Sequence, residues 1–148
     1  MMEGSPAAPH GGRGAWHRTV DHVSELRLEL GAQSWSALLA EAVRALGLAL
    51  ARGSRAGSRA EARRLVVESH DREALLVDLL NEVLFLAETG RWVPVAATVE
   101  EAGPTRVVAL VQGFPVDEAP CAVKAATLHG LEVVERDGCW TAKVILDT

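Results

Sequence analysis

Residues 124–148 of the chain read KAATLHGLEVVERDGCWTAKVILDT, and this stretch decides the fold. Two runs in which apolar and polar side chains alternate flank the dipeptide Asp137-Gly138. Alternation with a period of two is typical of a strand with one buried face. Asp-Gly favours the type I′ turn, because both central residues of that turn need a positive φ. The stretch therefore predicts a β-hairpin whose second strand leads to Asp147 and Thr148.

The end of that second strand gathers oxygen donors that suit a hard cation. Asp147 is followed by Thr148, and we expect the free carboxylate of the chain at this point. Ca²⁺ and Mg²⁺ prefer such ligands. A solvated, polar strand end is the simpler interpretation, and these residues alone leave both interpretations open.

A second informative stretch lies between Trp16 and Gly31. Three leucines alternate with charged residues after Glu25, so a half-buried strand is predicted over 25–30, preceded by a first strand over 16–20. Asp21, His22 and Glu25 are expected in the short link before the second strand. This link therefore places two carboxylates and an imidazole close to a strand end.

The middle of the chain predicts two helices. Ser34 is a good N-cap for an amphipathic helix over about 35–51, and the segment Gly53 to Ser58 is expected to break it. Asp71 caps a second helix that ends at Gly90, and Asp78, Asn81 and Glu82 are expected on its solvent side.

The remaining segments have the period of strands, and these lie at 60–69, 91–101, 105–112, 123–135 and 140–146. A hairpin turn is predicted at 101–104, and residues 113–120 are expected to form a loop with room for one helical turn. The order ββαβα followed by four strands predicts an α+β fold. We expect a two-layer sandwich in which two helices pack on one face of a mostly antiparallel, curved sheet.

Composition is that of one small domain. The chain has 148 residues, of which 49% are apolar, and a net charge of −5. We assign residues 1–14, rich in Gly, Pro and Ala, to a disordered tail and residues 15–148 to the domain. An acidic chain argues against direct binding to a nucleic-acid backbone and suits a basic protein surface. There is no apolar run of membrane-spanning length and no signal-peptide pattern, so we expect a cytoplasmic protein.

Three motifs together resemble the archease family. Archeases carry Asp-His-Thr-Ala-Asp before the second strand, Lys-Ala-X-Thr-Tyr-His-X late in the chain, and a last strand that ends in Asp plus an aliphatic residue. The corresponding segments here are Asp21 to Glu25, Lys124 to Gly130, and Asp147-Thr148. The resemblance extends over residues 16–148, and its most specific part is the late segment.

The resemblance implies a divalent-cation site, for Ca²⁺ or for Mg²⁺ or Mn²⁺, held by Glu25, Asp147 and Thr148. Glu25 stands where the family has Asp, and its carboxylate is one methylene further from the backbone. Asp21, His22, Lys124 and His129 lie in the matched motifs, and we consider them as outer ligands or as contacts for a partner. The two histidines could lie near the same end of the sheet, although a hydrogen-bonded structural role is the simpler interpretation for each.

The function that the resemblance implies is that of a non-enzymatic activator. Archeases assist the 3′-phosphate-type tRNA-splicing or RNA-repair ligase and promote its guanylylation and multiple turnover, so RNA and GTP would be reached only through the ligase. No nucleophile elbow or phosphate-binding glycine loop appears, and we assign no catalytic residue.

Two alternatives stay open. One is a small metal-dependent hydrolase that uses Glu25, His22 and Asp147, and the other is a plain protein-interaction domain without metal. The sequence leaves the pathway and the oligomeric state open.

Overall fold

The computed structural model describes residues 14–51 and 59–148. The predicted order of elements is confirmed. Nine elements follow one another: β1 Trp16–His22, β2 Glu25–Ala32, α1 Trp35–Leu50, β3 Glu61–Glu68, α2 Arg72–Gly90, β4 Trp92–Ala102, β5 Arg106–Pro115, β6 Ala125–Arg136 and β7 Cys139–Asp147. The predicted disordered tail, apart from Gly14, and the predicted breaker at 53–58 lie outside the described residues.

The strands form two antiparallel sheets, which corrects the expectation of one curved sheet. The first sheet has the order β1-β2-β7-β6 and the second has the order β3-β5-β4. Both helices contact strands of both sheets, since α1 meets β2 and β4 while α2 meets β6, β3 and β4. The α+β class with two helices and antiparallel sheets is confirmed. Periodicity predicts which residues form a strand, but it carries no information about which strands pair.

Side-chain caps begin both helices at the predicted residues. The Ser34 hydroxyl accepts a hydrogen bond from the Ala37 amide at 3.0 Å, and an Asp71 carboxylate oxygen accepts one from the Ala74 amide at 2.8 Å. Each cap satisfies an amide that has no partner within the helix. Gly90 is the last residue of α2, as predicted, and the left-handed residue that follows is Arg91, with φ 51°.

The four-stranded sheet buries one face against the helices. On β2 the buried residues of this face are Leu26, Leu28, Leu30 and Ala32, and on β7 they are Ala142, Val144 and Leu146. These residues are cross-strand neighbours, because Leu26 lies opposite Leu146 and Leu28 lies opposite Val144. We call this side the core face and the other side the outer face. Each fully buried leucine contributes roughly 1.5–3 kcal/mol, so the register of these strands is strongly specified.

Close packing joins α1 to the second sheet. A Cβ atom on Gly47 would lie 2.0 Å from the carbonyl oxygen of Pro94. The backbones of α1 and β4 therefore approach each other at a point where only glycine fits.

Two tight turns shape the first sheet. Asp137 and Gly138 have φ values of 55° and 79°, so the predicted type I′ hairpin between β6 and β7 is confirmed. Between β1 and β2 the turn is only Val23-Ser24, and Ser24 has φ 65°. This turn is shorter than the predicted link, and Asp21 and His22 consequently belong to β1.

The connection between the sheets also differs from the prediction. Strand β5 continues to Pro115, and residues 116–124 contain no helical turn. The carbonyl of Arg91 accepts a hydrogen bond from the Val116 amide at 2.8 Å, which ties the start of this connection to the end of α2. An extended segment with its own backbone partner needs no helical turn to satisfy its polar groups.

Candidate functional site at the end of the four-stranded sheet

The structure brings two of the predicted ligands together. Glu25 begins β2, Asp147 ends β7, and the two are directly opposite each other in the antiparallel pairing. Side chains at directly opposed positions have Cβ atoms about 4.5–5.5 Å apart. On the other side of Asp147, the opposed residue of β6 is Ala125. Asp147 therefore stands in the middle of the sheet end, between Glu25 and a small apolar residue.

Both carboxylates lie on the outer face. Their neighbours Leu26 and Leu146 are buried on the core face, and successive residues of a strand point to opposite faces. Glu25 is half-buried and Asp147 is exposed. Like charges that face each other across a sheet destabilise it, so this pair favours a neutralising cation. Carboxylate oxygens are also the ligands that hard divalent cations prefer.

Main-chain hydrogen bonds fix the end of β7 on both sides. The Lys124 amide donates to the carbonyl of Asp147 at 2.7 Å, and the Thr148 amide donates to the carbonyl of Ser24 at 3.0 Å. Thr148 is thus held beside the turn between β1 and β2, next to Glu25. This hydrogen bond places Thr148 at the same sheet end as Glu25 and Asp147.

The residues of β1 divide between the two faces. His22 lies opposite Glu25, so it extends the outer-face row formed by Glu25 and Asp147. Asp21 lies opposite Leu26 and therefore points to the side of the core face. Both side chains are exposed. The structure groups His22 with the carboxylate pair and separates Asp21 from it.

His129 and Lys124 occupy different positions relative to the row. Lys124 immediately precedes β6 and has an exposed side chain. His129 lies in an irregular part of β6, between Thr127 and Glu132, where the pairing with β7 shifts and Gly130 takes φ 67°. Four residues of extended chain from Ala125 to His129 correspond to about 13 Å along the strand. The register therefore places Lys124 at the sheet end and His129 further along it.

Asn81 supports the site and was wrongly predicted to face solvent. Its side-chain amide donates to the carbonyl of Ala126 at 3.0 Å, and its side-chain oxygen accepts from the Ala126 amide at 2.8 Å. This pair of bonds attaches α2 to β6 next to Ala125, the neighbour of Asp147. Helical periodicity assigns a polar residue to the solvent side of the helix. It does not show that the edge of a strand lies beside that residue.

The donors present fit a cation that keeps part of its water shell. In residues 14–51 and 59–148 there is no group of three or more His, Cys, Asp or Glu side chains that could hold a metal ion. The predicted donor set has only two such side chains, Glu25 and Asp147, together with main-chain oxygen from Thr148. Calcium and magnesium both accept main-chain carbonyls and waters as ligands, so this set is compatible with either ion. The cation site stays a prediction.

Two of the surface grooves formed by the described residues lie away from this sheet end. One, of about 230 Å³, is lined mainly by outer-face residues of the first sheet, including Trp16, Glu29 and Lys143. The other, of about 460 Å³, lies at the start of α2. There the guanidinium of Arg72 packs 5.6 Å from the ring centroid of Trp35 and 5.0 Å from that of Trp140. Such cation–π contacts join α1, α2 and β7.

The sequence and the fold are both similar to those of archeases. The model of the Archease protein family matches residues 17–148. Two relatives named protein archease are 34% identical to the chain. The one from Methanothermobacter thermautotrophicus aligns over 94 residues, 60% of this chain and 67% of its own length. The one from Methanosarcina mazei aligns over 93 residues, 57% of this chain and 64% of its own length.

Two solved structures share the fold. The crystal structure of a Thermotoga maritima archease, described as a possible chaperone, covers 88% of this chain and 96% of its own, with a TM-score of 0.60 and 17% identity. The solution structure of a Methanobacterium thermoautotrophicum protein covers 89% of this chain and 98% of its own, with a TM-score of 0.63 and 23% identity. None of the helices in the described parts of the chain has the length and apolar character needed to cross a membrane.

Proposed function

The chain belongs to the archease family, and from this premise we propose that it is a non-enzymatic activator of the 3′-phosphate-type tRNA-splicing or RNA-repair ligase. It docks on the ligase, promotes formation of the ligase–guanylate intermediate and so allows repeated turnover. RNA and GTP are bound by the ligase and not by this chain. The proposed location is the cytoplasm.

The single observation that supports this proposal best is the facing pair Glu25 and Asp147 at the end of the first sheet. In the proposal these carboxylates and the main-chain oxygen of Thr148 hold one divalent cation, Ca²⁺ or Mg²⁺ or Mn²⁺. The bound cation supplies positive charge at an exposed sheet end, where phosphate oxygens of the ligase-bound nucleotide can approach. The Lys124 and Thr148 amides hold the main chain at this sheet end, because they donate to the backbone carbonyls of Asp147 and Ser24.

The net charge of the chain favours a protein partner over RNA. The net charge of −5 suits a basic surface on the ligase and opposes direct binding to RNA. Lys124, His22 and His129 are exposed near this end of the sheet or further along β6. They are the proposed contacts to the ligase or to its bound nucleotide.

The test is a guanylylation assay with purified ligase, GTP and a divalent cation. We expect the wild-type chain to raise the rate of ligase guanylylation and the number of ligation cycles per ligase. Asp147→Ala is expected to abolish multiple turnover, because it removes the central carboxylate. Glu88→Ala is the matched control, since Glu88 is an exposed acidic residue on α2.

Two results would contradict the proposal at different levels. Unchanged turnover with Asp147→Ala would refute the carboxylate and cation part alone. No stimulation of a competent ligase by the wild-type chain would refute the activator role.

A plain interaction domain without metal is the second candidate. It is favoured by one observation, that no group of three or more potential ligand side chains occurs in the described ranges of the chain. Titration calorimetry with Ca²⁺, Mg²⁺ and Mn²⁺ separates the two candidates. Heat of binding that is lost in Asp147→Ala supports the cation site, whereas stimulation of the ligase without any cation binding supports the plain interaction domain.

A further inference from the structure

The free edge of β1 is one of two unbroken strand edges that the structure describes, the other being that of β3. Strand β1 is the first strand of its sheet, and its neighbour in that sheet is β2. All seven residues of β1 pair with β2 in one unbroken register, from Trp16 opposite Gly31 to His22 opposite Glu25. A regular edge strand presents unpaired amides and carbonyls along its other side, and these can pair with another chain.

The other edges carry features that discourage such pairing. Strand β4 contains Pro94 and has two shifts in register, and β6 has its own shift between Thr127 and Glu132. Strand β3 keeps charged side chains along its length, at Glu61, Arg63, Arg64 and Glu68. Proline, bulges and edge charges are the usual means by which proteins protect sheet edges. Strand β1 has no proline and no bulge, and it has two charged residues, Arg18 and Asp21, against the four of β3.

The turn after β1 determines which of its backbone groups point outward. In a four-residue turn the carbonyl of the first residue faces the amide of the fourth, so His22 directs its carbonyl towards Glu25 and β2. Backbone groups of alternate residues in an antiparallel pair point to opposite sides. The amides and carbonyls of His17, Thr19 and Asp21 therefore point towards the free edge.

The sequence of β1 is complementary to itself in the antiparallel direction. If two copies of β1 pair around Thr19, each His17 faces Asp21 of the second copy, and each Trp16 faces His22 of the second copy. Thr19 then faces Thr19, and Arg18 faces Val20. Opposite-charge, aromatic and Thr–Thr pairs are the cross-strand combinations that stabilise antiparallel sheets.

We propose that β1 is a homodimer interface, in which two copies of this chain join their four-stranded sheets into one sheet of eight strands around a two-fold axis at Thr19. The interface is isologous, as expected for a two-fold dimer. In its imidazolium form His17 donates through both ring nitrogens, so Nδ1 can bond Glu41, whose carboxylate oxygen lies at 2.6 Å, while Nε2 bonds Asp21 of the second copy. The evidence for this interface does not rest on the proposed ligase activation, although His22 belongs both to β1 and to the proposed ligase contacts.

Cysteine cross-linking tests the register directly. The background is Cys121→Ser with Cys139→Ser, because both native cysteines are free and exposed. In the proposed dimer the two Thr19 residues form a hydrogen-bonded pair with Cα atoms about 5.5 Å apart, which is within the range for a disulfide. Thr19→Cys is therefore expected to form a covalent dimer in a glutathione redox buffer.

Val23→Cys is the matched control, because Val23 lies in the next turn and is 94% exposed. In the proposed register its two copies are eight residues apart along the paired strands, or about 26 Å. We expect at least tenfold more covalent dimer from Thr19→Cys than from Val23→Cys. Equal cross-linking of the two variants, or none from Thr19→Cys, would overturn the interface.

Sedimentation velocity over a range of concentrations gives a second, independent measurement. A seven-residue strand pair is a small interface, so we expect a weak dimer that is populated at high protein concentration. Asp21→Lys replaces the carboxylate opposite His17 with an ammonium group, which cannot accept a hydrogen bond from the imidazole, and should weaken the dimer at least tenfold. Dimerisation equal to wild type in this variant would show that another surface is used, and a monomer at every concentration would show that no dimer forms.

Discussion

Glu41 is the one charged residue that is buried in the described part of the chain, with 8% of its surface exposed. Its carboxylate contacts Nδ1 of His17 at 2.6 Å and Nη1 of Arg44 at 3.5 Å. A buried carboxylate is tolerated only when partners compensate for its lost hydration. The contact with His17 also connects α1 to β1, so this residue contributes to holding the edge strand in place.

Replacing Glu41 with alanine should therefore destabilise the fold. We expect the free energy of unfolding of Glu41→Ala to fall by about 1–3 kcal/mol, because His17 loses its partner in a half-buried position. Urea unfolding measures this change. Glu88→Ala, at an exposed position, should stay within about 0.5 kcal/mol of wild type. Equal stabilities of the two variants would contradict a structural role for Glu41.

Asn81 gives a second prediction at the scale of one residue. Asn81→Ala removes both hydrogen bonds to the main chain of Ala126, a residue that is 5% exposed. We expect a loss of about 2 kcal/mol or more in the free energy of unfolding, because a buried amide and carbonyl lose their partners. Hydrogen exchange should also become faster at the Ala126 amide. Unchanged exchange at that amide would show that Asn81 is dispensable for the attachment of β6.

Because Glu25 and Asp147 face each other, we expect the effect of Asp147→Asn on the free energy of unfolding to change sign when a divalent cation is added. In a chelator, Asp147→Asn should raise the free energy of unfolding by up to about 1 kcal/mol, because it removes a like-charge pair across the sheet. In saturating Ca²⁺ or Mg²⁺ the same variant should be less stable than wild type by about 1.7–2.7 kcal/mol, because wild type alone gains about 2.7 kcal/mol from binding at a hundredfold excess over the dissociation constant. Thermal unfolding under both conditions measures the effect.

Glu132→Gln is the control for this reversal, since Glu132 faces Lys143 and not another carboxylate. It should respond to the cation as wild type does. The same order of stability for Asp147→Asn and wild type in both conditions would argue against a cation between Glu25 and Asp147.

At the scale of elements, local chemistry made the helices predictable. Ser34 and Asp71 marked the helix starts, and the spacing of apolar residues after each cap marked the buried face. Strand positions followed from alternation, as at Leu26, Leu28 and Leu30. The pairing of the strands was harder to predict from the sequence, because the division into two sheets depends on how α1 and α2 pack against β4 and β6. Sequence periodicity within one element contains no record of that contact.

The contact of α1 with β4 predicts an unusual effect of alanine. In an exposed helix interior, Gly→Ala stabilises by roughly 1 kcal/mol. Gly47→Ala should instead destabilise by roughly 1–3 kcal/mol, because the new Cβ would lie 2.0 Å from the Pro94 carbonyl oxygen. Gly90→Ala is the matched control, since its nearest contact would be 3.4 Å from a flexible arginine. A stability gain in Gly47→Ala would show that α1 and β4 can separate without cost.

At the scale of the whole molecule, the candidate site was predictable in part. Glu25 and Asp147 were expected to meet through the family resemblance, and the register now places them opposite each other. The position of His129 could not be anticipated, because the irregular pairing between Thr127 and Glu132 depends on the neighbouring strand. The hydrogen bonds that attach Asn81 to β6 could not be predicted either, because they join residues that are far apart in the sequence.

The overall charge predicts how association with the proposed ligase partner would depend on salt. A chain with a net charge of −5 should be steered to a basic partner by long-range attraction. The association rate constant should fall about tenfold or more between low and high ionic strength, because salt screens this attraction. Stopped-flow or surface-based kinetics measure it. A rate that does not depend on salt would show that docking relies on apolar contacts instead.

The stack of Trp35, Arg72 and Trp140 gives the molecule a built-in optical signal. The two indoles have ring centroids 5.5 Å apart and are tilted by 41°, close enough for their excited states to couple. Such a pair produces a split circular dichroism band, and the adjacent guanidinium alters the emission of both rings. One indole belongs to the start of α1 and the other to the start of β7, so the band exists only while helix and strand remain together. The band therefore reports, without any added label, whether α1 and β7 are still packed against each other.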